Sequence, residues 1–173
     1  METLFAKQDR LLLLTSTEII RTLMHRINWD AQLVAIRGPR GVGKTTLMLQ
    51  YMKLHYEVYS REVLYCTLDS VYFSNHTLLE LADVFVKNGG KHLFLDEVHK
   101  YPTWSKEIKE VYDMYPDLKV VFSASSLLNI LNADADLSRR CIPYEMQGLS
   151  FREFLLFYKQ RSFPVCTLEE VLT

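Results

Sequence analysis

The chain has 173 residues, 49% of them hydrophobic and 24% charged, with a formal net charge of −1. That length suits one domain burying roughly 70% of its unfolded surface. The charge balance removes any bulk electrostatic case for a nucleic-acid or membrane surface. Cys66, Cys141 and Cys166 are widely spaced and form no C-x-x-C pair. They argue against a disulfide framework or a zinc site and for a reducing, cytoplasmic compartment.

At the N-terminus only four consecutive leucines occur, Leu11 to Leu14. This run is too short for a signal segment or a membrane span, so no membrane is expected as a partner. Thr15 and Glu18 form a T-x-x-E capping box ahead of Ile19, Ile20, Leu23, Met24 and Ile27. The spacing predicts an amphipathic helix there. "QLVAIRG" predicts a first strand running into a glycine-rich turn, and "TTLMLQYMKLHY" a helix. "EVLYCTLD" predicts a second strand ending at Asp69, and "TLLELADVFVKNGG" a helix stopped by Gly89 and Gly90.

"KHLFLDE" predicts a third strand. In "WSKEIKEVYDMYP", Trp104, Ile108, Val111, Tyr112 and Tyr115 share one face of a helix that Pro116 ends. "LKVVFSAS" predicts a fourth strand, followed by a short helix around Leu127 to Leu131. "RCIPYEMQG" offers a fifth strand and "SFREFLLFY" a last helix. Strands that alternate with helices and are apolar throughout predict a parallel sheet covered on both faces, an α/β fold of the three-layer αβα sandwich type.

The strongest chemical signal is "GPRGVGKTT". Gly38, Gly43, Lys44 and Thr45 satisfy G-x-x-x-x-G-K-[ST], with a strand before and a helix after. Glycines let successive N–H groups face phosphate oxygens, and the helix that follows favours an anion at its N-terminus. The expected nucleotide contacts are Gly38, Pro39, Arg40, Gly41, Val42, Gly43, Lys44, Thr45 and Thr46. Lys44 is expected on the β- and γ-phosphates of ATP and the Thr45 hydroxyl on Mg2+.

"HLFLDE" supplies the acidic partner. Asp96 is the second expected Mg2+ ligand, and Glu97 is placed to orient or deprotonate an attacking water. Two adjacent acids here mark hydrolysis rather than transfer to a bound substrate. Asp69, at the same carboxyl edge, either touches that water or caps a loop. In "FSASS", Ser125 is the first choice for a γ-phosphate sensor and Ser123 the second. Arg139 and Arg140 supply charge to the phosphoryl group, in cis or from a neighbouring subunit, or else pair with Asp134 or Asp136. Arg40 reaches phosphate, a partner or solvent. His99 either completes a helicase box, couples the site to a ligand, or stands as a surface histidine opening a loop before Pro102, and the surface histidine is the expected case.

"DEVH" at 96–99 also matches the D-E-x-H box of helicases, and "SAS" follows 27 residues after Asp96. Three features oppose that reading. A helicase motor needs two RecA-like domains, no P-T-R-like motif precedes Asp96, and "GLSFREFL" has no counterpart there. "GPRGVGKTTLM", "LFLDEVHKYPTWSKEIKEVYD", "KVVFSASS" and "GLSFREFL" together resemble the AAA+-like P-loop ATPase domain of predicted prokaryotic ATPases related to the archaeal-type STAND group.

That resemblance implies a P-loop NTPase sheet of order 5-1-4-3-2, ATP and Mg2+ as ligands, and the roles above for Lys44, Thr45, Asp96, Glu97 and Ser125. It also matches Arg140 to the family's arginine before the last strand. The expected organisation is residues 1–30 as N-terminal helices packing on the core, 31–160 as the ATPase domain, and 161–173 as the start of a linker or of a missing C-terminal domain. A C-terminal effector domain, absent from this chain, normally follows. ATP or ADP and self-association are the expected partners, nucleic acid is left unassigned, and a P-loop kinase or a switch with little hydrolysis are the alternatives.

Overall fold

Five short runs rich in apolar residues pair in parallel to form a single sheet in the computed structural model, which describes residues 1–125, 137 and 139–159. They are β1 (Leu33–Arg37), β2 (Val63–Thr67), β3 (His92–Asp96), β4 (Lys119–Ala124) and β5 (Ile142–Glu145). Their order is β2-β3-β4-β1-β5, the 5-1-4-3-2 order read from the other edge. The register brings Arg37 beside Ala124 and Thr67 beside Asp96, so the chain leaves β1, β2, β3 and β4 at one common edge.

Strand alternation sends side chains to two separate cores. On one face Leu33, Ala35, Leu64, Leu93, Leu95, Val120 and Phe122 pack with α3 (Leu78–Lys87) and α4 (Trp104–Met114). On the other, Val34, Ile36, Tyr65, Phe94 and Val121 pack with α2 (Lys44–His55) and with Leu23, Met24, Ile27 and Trp29. The three-layer α/β sandwich follows directly from that alternation. Helix α3 opens on a capping box, Thr77 with Glu80, and a buried Glu107 on α4 accepts from the Leu78 and Leu79 amides at the same end. The last helix among the described residues, α5, spans Phe151–Lys159.

The N-terminal part corrects the expectation from the capping box. The helix lies earlier, as α1 (Glu2–Leu14), and Thr15 closes it instead of opening the next one. Its Oγ1 donates back to the Leu11 carbonyl at 2.8 Å. Gln50 on α2 donates to the carbonyls of Ser16 and Ile19, at 2.8 and 2.9 Å. These tertiary bonds hold 16–19 outside a helix, and only one 3-10 turn forms beyond, at Thr22–His25. Tertiary partners here override local propensity.

Helix α1 protects the β2 edge of the sheet. Gln8 is buried, accepts from the Tyr65 amide at 2.7 Å and donates to the Val63 carbonyl at 3.3 Å. It thereby satisfies two ladder groups that no strand pairs, which keeps that edge from further strand pairing. The expected strand through Asp69 stops at Thr67, and Asp69 stands exposed in a turn. The helix expected around Leu127–Leu131 lies outside the described residues.

Candidate functional site

From Arg37 the chain turns through residues 38–43 directly into α2. Gly41 and Gly43 hold φ of 84° and 99°, which only glycine adopts without strain. A Cβ on Gly38 would stand 2.0 Å from the Met146 carbonyl oxygen, so this glycine allows the segment after β5 to close over the loop. Gly43 leaves α2 with no side-chain cap. Its first-turn N–H groups and the positive end of the helix dipole therefore face the loop, as a phosphate site requires.

Lys44 is buried and folds its amine onto that loop, donating to the carbonyls of Gly38 at 2.8 Å and Pro39 at 3.0 Å. Burial lowers its affinity for the proton, and the charges of Glu97 and Asp96 work in the opposite direction. Arg40 and Thr46 are exposed.

Asp96, at the buried end of β3, gathers four donors. Its Oδ2 accepts from the Thr45 hydroxyl at 2.6 Å and the Tyr65 hydroxyl at 2.8 Å. Its Oδ1 accepts from the Ser123 hydroxyl and from the Glu97 amide, the latter at 3.1 Å. Burial first, and then the Asp96 charge, push the Tyr65 phenol far above its ordinary range, so Tyr65 stays a donor.

A hydroxyl and a carboxylate in direct contact are the hard oxygen donors that Mg2+ takes. Among the described residues no cluster of three or more His, Cys, Asp or Glu exists to hold a metal. Mg2+ keeps waters and substrate phosphates in its coordination shell, so two protein oxygens, from Thr45 and Asp96, suffice to hold it. The residues present therefore fit the ion.

Glu97 follows with φ of 53°, a left-handed conformation that costs a non-glycine residue about 1–2 kcal/mol. Its amide also donates to Ser123 Oγ at 3.1 Å, which holds this turn in place. Glu97 Oε2 lies 3.3 Å from His99 Nε2, and that same nitrogen is 3.0 Å from Ser125 Oγ. The His99 side chain is only 14% exposed, which corrects its reading as a surface residue.

Beside the loop opens a cavity of about 600 Å³, lined by Ile19, Arg21, Gly41, Thr46, Gln50, Leu149 and Phe157 among others. Arg21 ties its walls together: Nη1 donates to Val42 O at 3.0 Å, Nη2 to Gln147 O and Gly148 O, and Nε to Glu153 Oε1 at 2.9 Å. Burial alone would raise the Glu153 carboxyl. Hydrogen bonds from Arg21, Ser150 and Thr22 outweigh it and hold the group down at about 2.

The structure thus brings together Lys44, Thr45, Asp96, Glu97, Ser123 and Ser125. It does not bring Arg140 to them. Arg140 precedes β5, whose first residue pairs with Val34 near the start of β1, and its Nε contacts Asp113 near the end of α4 at 3.1 Å. That is the opposite edge of the sheet from the phosphate loop, and Arg139 is exposed. Sequence reasoning missed Tyr65, Arg21, Gln8 and the buried state of His99. For Tyr65 a signal existed, because a polar ring inside an apolar strand asks for a partner.

This constellation on this sheet order is that of a P-loop nucleotide-binding domain. The chain belongs to the AAA domain family (AAA_14), whose family model matches residues 30–155. Among curated proteins it is similar to the uncharacterized protein MJ1637 of Methanocaldococcus jannaschii, 28% identical over 140 residues, covering 76% of this chain. It is also similar to the uncharacterized protein MJ1544 of the same organism, 28% identical over 131 residues and 73% of this chain. The matched part spans 29% of the length of each of these relatives.

Solved structures with a related shape include C. elegans PCH-2, at a TM-score of 0.48 and 16% identity, covering 82% of this chain and 41% of that one. Katanin, from a structure bearing on its self-assembly, gives 0.47 and 14%, covering 80% and 49%. The sheet order and the family match carry the fold without them. The chain is a nucleotide-binding AAA module. Among the described residues no helix is long and apolar enough to cross a membrane.

Proposed function

We propose that the chain binds Mg-ATP on residues 38–46 and hydrolyses it, with the cycle driving a conformational change in a downstream domain or partner. The observation that carries this reading is the Asp96 carboxylate, bonded to the Thr45 hydroxyl of the phosphate loop with Glu97 directly after it. Thr45 and Asp96 would hold the ion. Bound Mg2+ would neutralise charge on the phosphate oxygens. Lys44, already on the loop, would exchange its two carbonyl partners for phosphate oxygens, and the α2 N-terminus would add its dipole.

Glu97 would take a proton from the attacking water as its oxygen bonds to the γ-phosphorus and ADP departs. The cavity beside the loop is where the sugar and base would extend. In this reading 31–160 is the ATPase domain, 1–30 packs on it, and 161–173 leads toward an effector domain.

The test compares ATP binding and turnover in wild type, Lys44→Ala and Glu97→Gln. Lys44→Ala should lose binding. Glu97→Gln should bind as wild type does and turn over roughly 10²–10⁴-fold more slowly. Equal turnover in the second variant would remove Glu97 from its role.

One observation favours a second reading, a nucleotide-dependent switch with little turnover of its own. Arg140 sits at the far edge of the sheet, on Asp113. Under this reading an arginine of a neighbouring subunit supplies the missing charge, an effect worth roughly 10³–10⁵ in rate. Mass measured by light scattering with and without Mg-ATP separates the two: self-association that raises turnover supports the switch, and fast turnover by the monomer removes it.

A further inference from the structure

The hydrolytic reading leaves one side chain of the site without a role. His99 sits on the 3-10 turn Val98–Lys100 that follows Glu97, and its Nε2 faces two oxygens, Ser125 Oγ at 3.0 Å and Glu97 Oε2 at 3.3 Å. Its other nitrogen, Nδ1, is buried with no hydrogen-bond partner among the described residues. This asymmetry assigns the proton. An N–H at Nδ1 would be a buried donor without an acceptor among the described residues, an arrangement costing about 1–3 kcal/mol. An N–H at Nε2 has two acceptors waiting. The ring therefore carries its proton on Nε2.

A single N–H cannot serve two acceptors fully, so Glu97 and Ser125 compete for it. Glu97 is the general base of the proposed hydrolysis. Ser125 directly follows β4, at the edge where phosphate would sit. A serine hydroxyl has one proton and two lone pairs. When that proton turns to a phosphate oxygen, the lone pairs stay open to the His99 N–H.

We propose that His99 is a positioning residue coupling the Ser125 hydroxyl to the Glu97 carboxylate, an inference that rests on the hydrolytic reading of Glu97. Without a γ-phosphate, the Nε2–H bond is shared and the ring restrains Glu97. With the γ-phosphate in place, Ser125 donates to it and draws the Nε2–H to its own oxygen. Glu97 is then released to accept the proton of the attacking water. His99 touches neither nucleotide nor water; it sets when and where the two groups that do can act. Its geometry spans a separation of 26 residues between His99 and Ser125, which only the β3–β4 pairing closes.

Kinetics give the first test. His99→Ala should lower kcat about 10–100-fold, because in the γ-phosphate state the Ser125 hydroxyl loses the N–H that holds it toward the phosphate, and a displacement of about 1 Å costs that much. KM and the affinity for Mg-ATP should stay within about twofold of wild type. The choice of amide is a sharper probe. Glutamine carries its amide at about the reach of Nε2 and asparagine at about that of Nδ1, so His99→Gln should recover part of the loss and His99→Asn should not. The double variant Ser125→Ala/His99→Ala should be no slower than the worse single variant, because both break one chain. Multiplicative losses, a change confined to KM, or equal rescue by both amides would overturn the proposal.

The second test does not depend on turnover. The His99 Nε2 resonance, followed by 15N NMR and assigned by its loss in His99→Gln, should shift when Mg2+ and the non-hydrolysed analogue adenylyl imidodiphosphate are added to wild type. It should stay in place in Ser125→Ala. The same response in both proteins would overturn the coupling. Full turnover by Glu97→Gln would instead remove the hydrolytic reading, a separate result that leaves the Ser125-dependent shift to be judged directly.

Discussion

The two ends of β3 carry the same kind of burden and treat it in opposite ways. His92 opens the strand and Asp96 closes it; both are buried, and each is hydrogen-bonded to a tyrosine hydroxyl at 2.8 Å, Tyr56 and Tyr65 respectively. At the first end Tyr56 is the one hydrogen-bond partner of the imidazole among the described residues, the ring packs against Phe94 and Tyr51, and Nε2 is unpartnered. Burial, helped by Lys119 and opposed by Asp30, pushes the imidazole down to about 3, so it stays neutral. At the second end four donors from four segments converge on one carboxylate. A polar group that the fold merely tolerates has few partners and no charge. One that the fold has been built around has convergent donors and an open path to the phosphate loop.

The comparison breaks most sharply at Asp96. Asp96→Asn keeps the size of the side chain but turns one accepting oxygen into an NH2 donor facing donors. Turnover should fall on the order of 10²–10³-fold, the size of removing a preorganised charge from a catalytic site. ATP affinity measured without Mg2+ should stay close to wild type. Retained Mg2+-dependent turnover would show that the four donors are packing, as at His92.

His92 should show itself in the pH dependence of stability. Its folded value of about 3 lies below the ordinary 6.5, so between these limits the unfolded chain binds more protons. Its contribution is complete above pH 6.5 and is lost as pH falls through that window toward 3. Between pH 7 and pH 5 the loss should be about 2 kcal/mol, read as a fall in Tm of about 4–8 °C. Glu153, held at about 2 from an ordinary 4.5, acts mainly below pH 4.5 and is separable. His92→Phe should flatten the upper window. An unchanged slope would remove His92 as the cause.

The two ends also differ in how much of them a reader of the sequence can see. The phosphate loop and the acidic pair are contiguous, and each needs only its own strand and helix, so Gly38 to Thr46 and Asp96 to Glu97 are visible as text. The sheet order follows from the family resemblance rather than from any spacing. His99 and Ser125 meet only through the β3–β4 register, which no local pattern states, and so the imidazole reads as a surface group. Helix α1 hides for another reason. Gln8 looks like an ordinary polar residue until the unpaired β2 edge is present, and Thr15 looks like a helix start because capping chemistry at a single hydroxyl reads alike at either end. Arg140 shows the limit of a motif position: the resemblance matches it to an arginine before the last strand, yet the start of β5 lies at the edge of the sheet away from Lys44.

The smallest effect is the most discriminating, because the two tyrosines form a matched pair. Tyr56→Phe and Tyr65→Phe each delete one hydroxyl from the same distance to a buried group on the same strand. At the His92 end the deletion leaves the imidazole with no partner on either nitrogen among the described residues, so stability should drop by about 1 kcal/mol, or about 2–4 °C in Tm, with turnover unchanged. At the Asp96 end three donors remain, so stability should move less. The carboxylate would lose one of the bonds that aim it, and turnover should fall about 3–10-fold, most visibly at limiting Mg2+. Opposite signatures from one chemical change would make the distinction between packing and site a measured property of β3. Matching signatures would mean that Asp96, like His92, is only a residue of the core.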